Sequence, residues 1–359
     1  MPERDPTDPS DIGVPLAVEL KDLRVEFIAP GKRIEAVNGV DLRLRQGEVI
    51  ALIGESGSGK SVTLRTVMRL HPERSSRITG KLAVNGRDVL GLSQRALADL
   101  RGKEVAMIFQ EPLLALDPVY TVGAQIIEAV RRHDGLSRSA ARARALALFE
   151  KVRIPSPERR LAAYPHEMSG GMRQRAMIAL ALACNPKVLL ADEPTTALDA
   201  TVQIQILLLL RDLQRDLGLS VIFVTHDIGA AVEVADRIAV MYAGRIVEEG
   251  TARDLILSPR HPYTIALLKS RAHGAMTRGS RLETIGGAPP DLSKLPPGCA
   301  FAARCPLALD ACRAAQPLAV EVSPGHHARC IRTDVSADLL RRRPADEFTP
   351  MDAATVPPR

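Results

Sequence analysis

The chain has 359 residues, 46% of them hydrophobic, which is enough to bury a large core and to carry an appended segment. Aromatic residues make up only 3% and Trp is absent, so stacking platforms for single-stranded nucleic acid are scarce. The formal net charge is +6, but the basic residues are spread along the chain. The charge is therefore equally consistent with binding to nucleic acid, with a membrane-facing partner and with a bias from the base composition of the genome.

Two features bear on where the protein resides. Residues 1–15 are acidic and Pro-rich without an apolar segment, so we expect a disordered N-terminus that is not a signal peptide. The apolar runs at 176–184 and 204–210 are too short to span a membrane. The sequence therefore predicts a cytosolic protein that reaches any membrane through another subunit.

The first predicted structure is a β layer. Residues 16–53 alternate apolar and polar side chains, with a break at Ala29-Pro30-Gly31, which indicates antiparallel strands. Residues 78–89 predict a further hairpin around Asn85-Gly86. Phe27 stands just before the first turn, where the pattern alone favours a strand core residue over a functional one.

A glycine-rich loop follows an apolar strand at 48–53 and precedes a helix at 62–70. Its residues fit G-x-x-x-x-G-K-[ST] and are Gly54, Glu55, Ser56, Gly57, Ser58, Gly59, Lys60 and Ser61. Glycines let successive backbone N–H groups turn toward phosphate oxygens, and the helix presents its positive end to the same anion. Lys60 would reach the β and γ phosphates and the Ser61 hydroxyl would ligate Mg²⁺, so the loop predicts a nucleoside triphosphate site.

The middle of the chain is predicted to be helical. A buried strand at 105–109 ends at Gln110, which on its own reads as an ordinary loop residue. Residues 120–160 have helical periodicity interrupted at Pro155 and Pro157, which indicates an inserted helical subdomain over about 115–175. Ser169-Gly170-Gly171 then opens a helix and forms a second anion site, although such a cap is common.

Two further strands deliver polar residues to the same predicted sheet edge. Residues 188–191 are continuously apolar, as in a parallel strand covered on both faces, and end in Asp192 and Glu193. Buried carboxylates need solvent, partners or metal, and near a Mg-triphosphate Asp192 would hold Mg²⁺ and Glu193 would polarise water. The strand at 220–224 leads to His226, although most histidines are structural. Ligands of open α/β sheets bind at this edge.

With these residues assembled, the chain resembles the nucleotide-binding subunit of an ATP-binding cassette (ABC) transporter over roughly residues 16–250. The family's elements occur in order: the adenine-stacking aromatic Phe27, the Walker A loop at 54–61 followed by Val62, the Q-loop Gln110, the signature Ser169-Gly170-Gly171, Walker B at 188–193, the D-loop Ala197-Leu198-Asp199 and the switch His226. The signature reads Met-Ser-Gly-Gly-Met instead of Leu-Ser-Gly-Gly-Gln, but its Ser and both glycines are intact.

The resemblance implies a fold and a set of roles. The fold is α/β, with a RecA-like P-loop core, an antiparallel β layer and an inserted helical subdomain in an ABC ATPase domain at 16–257. The implied catalytic residues are Glu193, Gln110 and His226, and the implied Mg²⁺ ligands are Ser61, Gln110 and Asp192. Two cassettes would sandwich two ATP molecules, with Ser169-Gly170-Gly171 acting on the partner's nucleotide.

The remaining chain points to one branch of this family. His261-Pro262-Tyr263-Thr264 resembles the C-terminal region of oligopeptide, dipeptide and nickel importer ATPases, and residues 193–203 resemble the D-type subunit. The predicted extension covers residues 258–333, and the charged segment 334–359 is predicted to be a disordered tail. The implied partners are a second, F-type ATPase subunit, two transmembrane permease subunits and an extracytoplasmic substrate-binding protein. The implied location is peripheral, on the cytoplasmic face of the inner membrane.

The extension is expected to be small and to have a regulatory or structural role. It contains four cysteines that suggest a metal site: Cys299, Cys305, Cys312 and Cys330. Disulfides are disfavoured in the cytosol, and a metal would stabilise a segment with little hydrophobic periodicity. The wide spacing and the Cys-Pro flank favour a [4Fe-4S] cluster, and Gly-Cys-x-Phe-x-x-Arg-Cys-Pro resembles dipeptide-importer ATPases that carry one. Zinc and free thiols stay open as alternatives.

The substrate also stays open. Short peptides are the leading interpretation, with nickel or an oligosaccharide as alternatives within the branch. A soluble ABC ATPase acting on nucleic acid or ribosomes is the alternative from another class, and we expect no nucleic-acid partner because the chain has one cassette and only a modest helical insertion.

Overall fold

Two β-sheets organise the part of the chain that the computed structural model describes, residues 14–196, 198–270, 285–334 and 336. The strands are β1 (Leu16–Ala29), β2 (Lys32–Arg45), β3 (Val49–Ile53), β4 (Ser76–Val84), β5 (Arg87–Asp88), β6 (Val105–Ile108), β7 (Val188–Asp192), β8 (Ser220–Thr225), β9 (Arg237–Tyr242), β10 (Arg245–Thr251), β11 (Val320–Ser323) and β12 (His326–Ala328). The helices are α1 (Lys60–Val67), α2 (Gln94–Lys103), α3 (Pro112–Ala115), α4 (Val122–Asp134), α5 (Arg138–Lys151), α6 (Pro157–Leu161), α7 (Gly170–Ala181), α8 (Ala200–Leu217), α9 (Ile228–Val234), α10 (Ala252–Leu257), α11 (Pro262–Lys269) and α12 (Asp310–Ala314).

The smaller sheet is antiparallel, with strand order β2-β1-β4-β5, as the alternating pattern predicts. Leu23 and Val25, on either side of the exposed Arg24 in β1, are fully buried. Asn85 and Gly86 both have positive φ, 47° and 76°, in the turn between β4 and β5. That conformation suits the tight turn of a hairpin and explains why Asn-Gly stands there.

The larger sheet has the order β11-β12-β10-β9-β3-β8-β7-β6. Strands β6, β7, β8, β3 and β9 run parallel to one another, whereas β10 pairs antiparallel with β9 and β12, and β11 pairs antiparallel with β12. Every residue of β3 is buried: Val49, Ala51 and Ile53 join one hydrophobic core and Ile50 and Leu52 join the other. The continuously apolar run therefore follows from burial on both faces.

The predicted helical segment forms α4, α5 and α6, which pack on one another, and α4 and α5 also pack on α7. Thr121 and Ser137 cap α4 and α5 by accepting hydrogen bonds from Ala124 N and Ala140 N, both at 3.3 Å. At Gly123 a side chain would lie 2.4 Å from the carbonyl oxygen of Leu161, so only glycine allows α4 to approach α6 this closely.

The C-terminal extension continues the core sheet. Strand β12 pairs with β10, and the buried carboxylate of Glu248 accepts hydrogen bonds from Arg260 N (2.6 Å) and His261 N (2.9 Å) and lies 2.8 Å from His326 Nε2. Phe301 is 1% exposed and belongs to the main core. The extension therefore packs against the main core, although its sequence shows little hydrophobic periodicity.

Some predictions fall outside the described residues. Residues 1–13 of the predicted disordered N-terminus are outside the described part of the chain. Residue 335 and residues 337–359 of the predicted disordered tail are also outside it. Among the residues that are described, no helix combines the length and apolar character needed to cross a membrane.

Candidate functional site

The loop between β3 and α1 owes its path to glycine. Gly54, Gly57 and Gly59 have φ values of 151°, 78° and 104°. A side chain at Gly54 would meet the carbonyl oxygen of Met241 at 2.2 Å, and one at Gly59 would meet that of Ala36 at 2.4 Å. Because backbone oxygens cannot move aside cheaply, the loop holds this curl only with glycine at both positions.

Lys60 is folded back over its own loop. Its side chain is buried, and Nζ donates to the carbonyl oxygens of Gly54 (2.8 Å) and Glu55 (2.9 Å). Nζ also lies 3.5 Å from Ser58 Oγ. The ammonium group is thus held inside the curl of the loop, where a bound phosphate would need a positive charge.

Asp192, at the end of β7, meets the loop at Ser61. Ser61 Oγ donates to Asp192 Oδ1 at 2.7 Å. Asp192 is fully buried, its Oδ2 has no hydrogen-bond partner, and Arg65 Nη2 lies 3.9 Å from that oxygen. Burial raises the pKa of Asp192, opposed by the Ser61 hydrogen bond and by Arg65. A buried carboxylate oxygen without a partner, beside a hydroxyl, fits the oxygen ligands that Mg²⁺ prefers.

The Glu193 carboxylate contacts side chains that follow three neighbouring strands. Its Oε2 lies 3.4 Å from Gln110 Nε2, which follows β6, and 3.2 Å from His226 Nδ1, which follows β8. Thr196 Oγ1 donates to the same oxygen at 2.9 Å. Glu193 has φ 46°, and its backbone N–H donates to the Val224 carbonyl oxygen at 3.0 Å. The strained turn and these contacts aim one carboxylate at the carboxyl edge of the sheet.

Ser169 lies apart from this cluster. It is the N-cap of α7, and its Oγ accepts a hydrogen bond from Met172 N at 3.3 Å. The small size of Gly171 leaves room for Val202, whose Cγ1 lies 2.9 Å from where a side chain would begin. Asp199 caps α8 through Val202 N at 3.0 Å, and Ala197 of the D-loop lies outside the described residues. Within the described chain no hydrogen bond joins Ser169 to the phosphate loop.

Phe27 lies in β1, half-buried, with its ring edge-on to His71 at 5.2 Å between centroids. His71 Nε2 in turn lies 3.0 Å from Thr66 Oγ1 and 3.1 Å from the Val62 carbonyl oxygen. These contacts place Phe27 beside the helix that follows the phosphate loop, with part of its ring exposed.

The four cysteines of the extension line one cavity of about 20 Å³. Burial raises the pKa of the Cys299 thiol, and raises those of Cys305 and Cys330 to about 11. The thiol donors suit a soft metal, but no group of three or more His, Cys, Asp and Glu side chains among the described residues has an arrangement that holds a metal ion. A cavity of this size has room for about one water molecule. The described geometry therefore does not fit a four-iron cluster as it stands.

Three site residues were not anticipated from the sequence: Thr196, Tyr263 and Arg304. Thr196 follows directly after Glu193-Pro194-Thr195, and its position was the only signal. Tyr263 and Arg304 belong to motifs that the sequence had marked for other reasons, and in the fold both contact Glu55 of the phosphate loop.

Comparison with known families gives two separate matches. The ABC transporter family matches residues 37–196, and the oligopeptide/dipeptide transporter C-terminal region matches residues 247–312. The first span holds the phosphate loop, Gln110, Ser169 and both carboxylates. The second holds Glu248, Tyr263, Arg304 and three of the four extension cysteines.

Individual relatives match over most of the chain. A probable peptide ABC transporter ATP-binding protein of Sinorhizobium fredii is 48% identical over 325 residues, covering 90% of this chain and 97% of that protein. The oligopeptide transport ATP-binding protein OppD of Bacillus subtilis is 47% identical over 319 residues, covering 89% of each. Among solved structures, the ATP-binding cassette MJ0796, a dimer bound to ADP and phosphate, superposes with a TM-score of 0.59 at 30% identity, over 66% of this chain and 99% of that one. The predicted fold class is confirmed.

The position of Lys60 yields a direct test of the loop. Lys60→Ala removes the positive charge held inside the curl, so we expect ATP affinity to fall by about tenfold or more. Titration with a fluorescent ATP analogue measures this. Lys151→Ala, which removes an exposed lysine at the end of α5, is the matched control and should bind ATP like the wild type. Unchanged affinity in Lys60→Ala would contradict the assignment of the loop.

Proposed function

The chain belongs to the ABC transporter family of ATPases, and from that membership we propose that it is the ATP-hydrolysing subunit of a membrane importer for short peptides. The observation that carries the proposal is the pairing of a cassette with the oligopeptide/dipeptide transporter C-terminal region in one chain. Relatives at 47–48% identity are named for peptide or oligopeptide transport, which favours peptides over nickel, oligosaccharides or nucleic acid.

The chemistry that this chain would supply is general-base hydrolysis of ATP. Glu193 would accept a proton from the attacking water, because its carboxylate stands at the sheet edge with Gln110, His226 and Thr196 on one oxygen. Those three partners fix the direction of the carboxylate before substrate arrives, which is how a base is kept within reach of water.

Phosphate binding would be divided between the loop and the buried carboxylate. Lys60 and the loop N–H groups would hold the β and γ phosphates. Ser61 and Asp192, with Gln110 completing the set, would hold Mg²⁺, which neutralises charge on the transferred phosphoryl group. The buried Asp192 Oδ2, which has no hydrogen-bond partner, supports this division.

The site is proposed to be completed by another chain. Ser169-Gly170-Gly171 lies at a helix N-terminus, has no hydrogen bond to the phosphate loop in the described chain, and would bind the nucleotide of a partner ATPase. We expect an F-type partner, two permease subunits that receive the closing motion, and an extracytoplasmic binding protein. The subunit would then sit peripherally on the cytoplasmic face of the inner membrane.

We also propose that the cysteine cavity binds metal, with [4Fe-4S] the first assignment and zinc the alternative. What supports it is that four thiols from separate parts of the extension line one cavity. A bound metal would supply the positive charge that stabilises thiolate ligands in this buried place. The side chains would have to move to reach ligand distances.

Transport is tested in the strain that carries the gene. Deletion should reduce uptake of a radiolabelled tripeptide to background, because the permease then lacks an energy source. A plasmid copy should restore uptake, and Lys60→Ala should not. The tagged chain should copurify with two permease subunits. Unchanged tripeptide uptake on deletion, or copurification with ribosomes or DNA instead of permeases, would contradict the importer.

The metal proposal is tested by anaerobic purification. A [4Fe-4S] cluster predicts brown protein with about four irons and four sulfides per chain. Replacing Cys305 and Cys330 together with Ser should abolish the iron, whereas Cys184→Ser should not, because Cys184 packs near Ala129 in the main core. Colourless protein with one zinc would replace the iron assignment, and metal-free protein would overturn both.

A further inference from the structure

We propose that two residues of the C-terminal extension, Arg304 and Tyr263, are positioning residues for the phosphate loop, and that they set its affinity for ATP by holding Glu55. The inference rests on the proposed role of the loop in phosphate binding. It assigns the extension a part in nucleotide binding, in addition to any part it has at the cysteine cavity.

Arg304 forms a bidentate ion pair with Glu55 of the phosphate loop. Nη1 lies 2.7 Å from Glu55 Oε2, and Nη2 lies 3.0 Å from Glu55 Oε1. The Arg304 side chain is only 4% exposed and that of Glu55 25%. A bidentate pair shielded from water is both stronger and more directional than a surface ion pair, so it constrains where the loop backbone can go.

The guanidinium is itself fixed by the extension. Nε donates to the Gly286 carbonyl oxygen at 2.8 Å, and Nη2 donates to that of Ile285 at 3.2 Å. Nη1 also donates to Tyr242 Oη at 3.1 Å. The rings of Tyr242 and Phe301 each lie 5.8 Å from its Cζ. These contacts hold the Arg304 guanidinium in one orientation, so Glu55 is held at a fixed place relative to the core sheet.

Tyr263 makes the second attachment, to the backbone. Its hydroxyl accepts a hydrogen bond from Glu55 N at 2.8 Å. The ring is fully buried and packs on Tyr242, with centroids 4.5 Å apart, and on Phe301 at 5.3 Å. The glycines at 54 and 57 leave the loop few side-chain contacts of its own, so these two attachments at Glu55 define its first turn.

The charge of Glu55 gives the arrangement a consequence for binding. A carboxylate in a loop that receives a triphosphate would repel it. Arg304 neutralises that carboxylate from the side of the extension, while the Lys60 ammonium stays inside the curl. Removing Arg304 would therefore both loosen the loop and leave a negative charge beside the nucleotide.

The test compares four variants by ATP titration and steady-state ATPase kinetics of the full chain, with the importer subunits present for kinetics. Arg304→Ala should raise the Kd for ATP about tenfold. Tyr263→Phe, which keeps the ring and loses only the hydroxyl, should raise it about threefold. Arg304→Ala combined with Glu55→Gln should recover only part of the loss, because the uncompensated charge is gone while the loop still lacks its attachment to the guanidinium. Arg313→Ala, an exposed arginine of the same extension, is the control and should leave Kd unchanged.

The kinetic readout separates positioning from a merely structural role. A positioning role raises KM for ATP while kcat per folded chain changes less than twofold. If the contact only holds the extension on, Arg304→Ala would lower the yield of active protein at unchanged KM and Kd, which would overturn the inference. Lys60→Ala serves as the reference for ATP affinity. If Lys60→Ala binds ATP more weakly but Arg304→Ala and Tyr263→Phe bind it normally, only the inference about the extension is refuted. If Lys60→Ala also binds ATP normally, the assignment of the phosphate loop is refuted.

Discussion

A buried carboxylate at the end of a parallel strand is the constraint on which the site depends. Asp192 is fully buried, with one oxygen on Ser61 and the other without a hydrogen-bond partner. Such a group is costly to bury unless a cation or a substrate-bound ion completes its surroundings. The neighbouring Glu193 is held by side chains that follow β6 and β8, so the parallel order of the sheet is what brings Gln110, Glu193 and His226 together.

The parts of this site that the sequence predicts are those carried by local pattern. Apolar runs mark β6, β7 and β8, and in a parallel sheet their carboxyl ends must share an edge, so the convergence of Gln110, Asp192 and His226 follows from topology. The contact between Arg304 and Glu55 joins residues 249 positions apart and leaves no periodicity to read. Strand β11 was missed for a related reason: three of its four residues are exposed, so no apolar alternation marks it.

The extension is an integral part of the fold. It continues the core sheet through β12, buries Glu248 against His326, and seats Tyr263 and Phe301 in the aromatic cluster around Tyr242. Cys305 follows Arg304 directly in the chain. A ligand that drew the cysteine side chains together would thus act one residue away from Arg304, which contacts Glu55 of the phosphate loop. The cysteine cavity and the contact between Arg304 and Glu55 are thus joined by neighbouring residues of one chain.

The central claim is that this chain holds half of an ATP site, with Glu193 as its base and Ser169-Gly170-Gly171 facing a partner. Glu193→Gln tests it most directly, by light scattering of the variant with its partner ATPase subunit, with and without ATP, alongside the rate of phosphate release. The account predicts that ATP drives the two subunits into a stable dimer while hydrolysis falls to background, because binding is kept and the base is lost. Near-normal hydrolysis, or the absence of any ATP-dependent association, would contradict it.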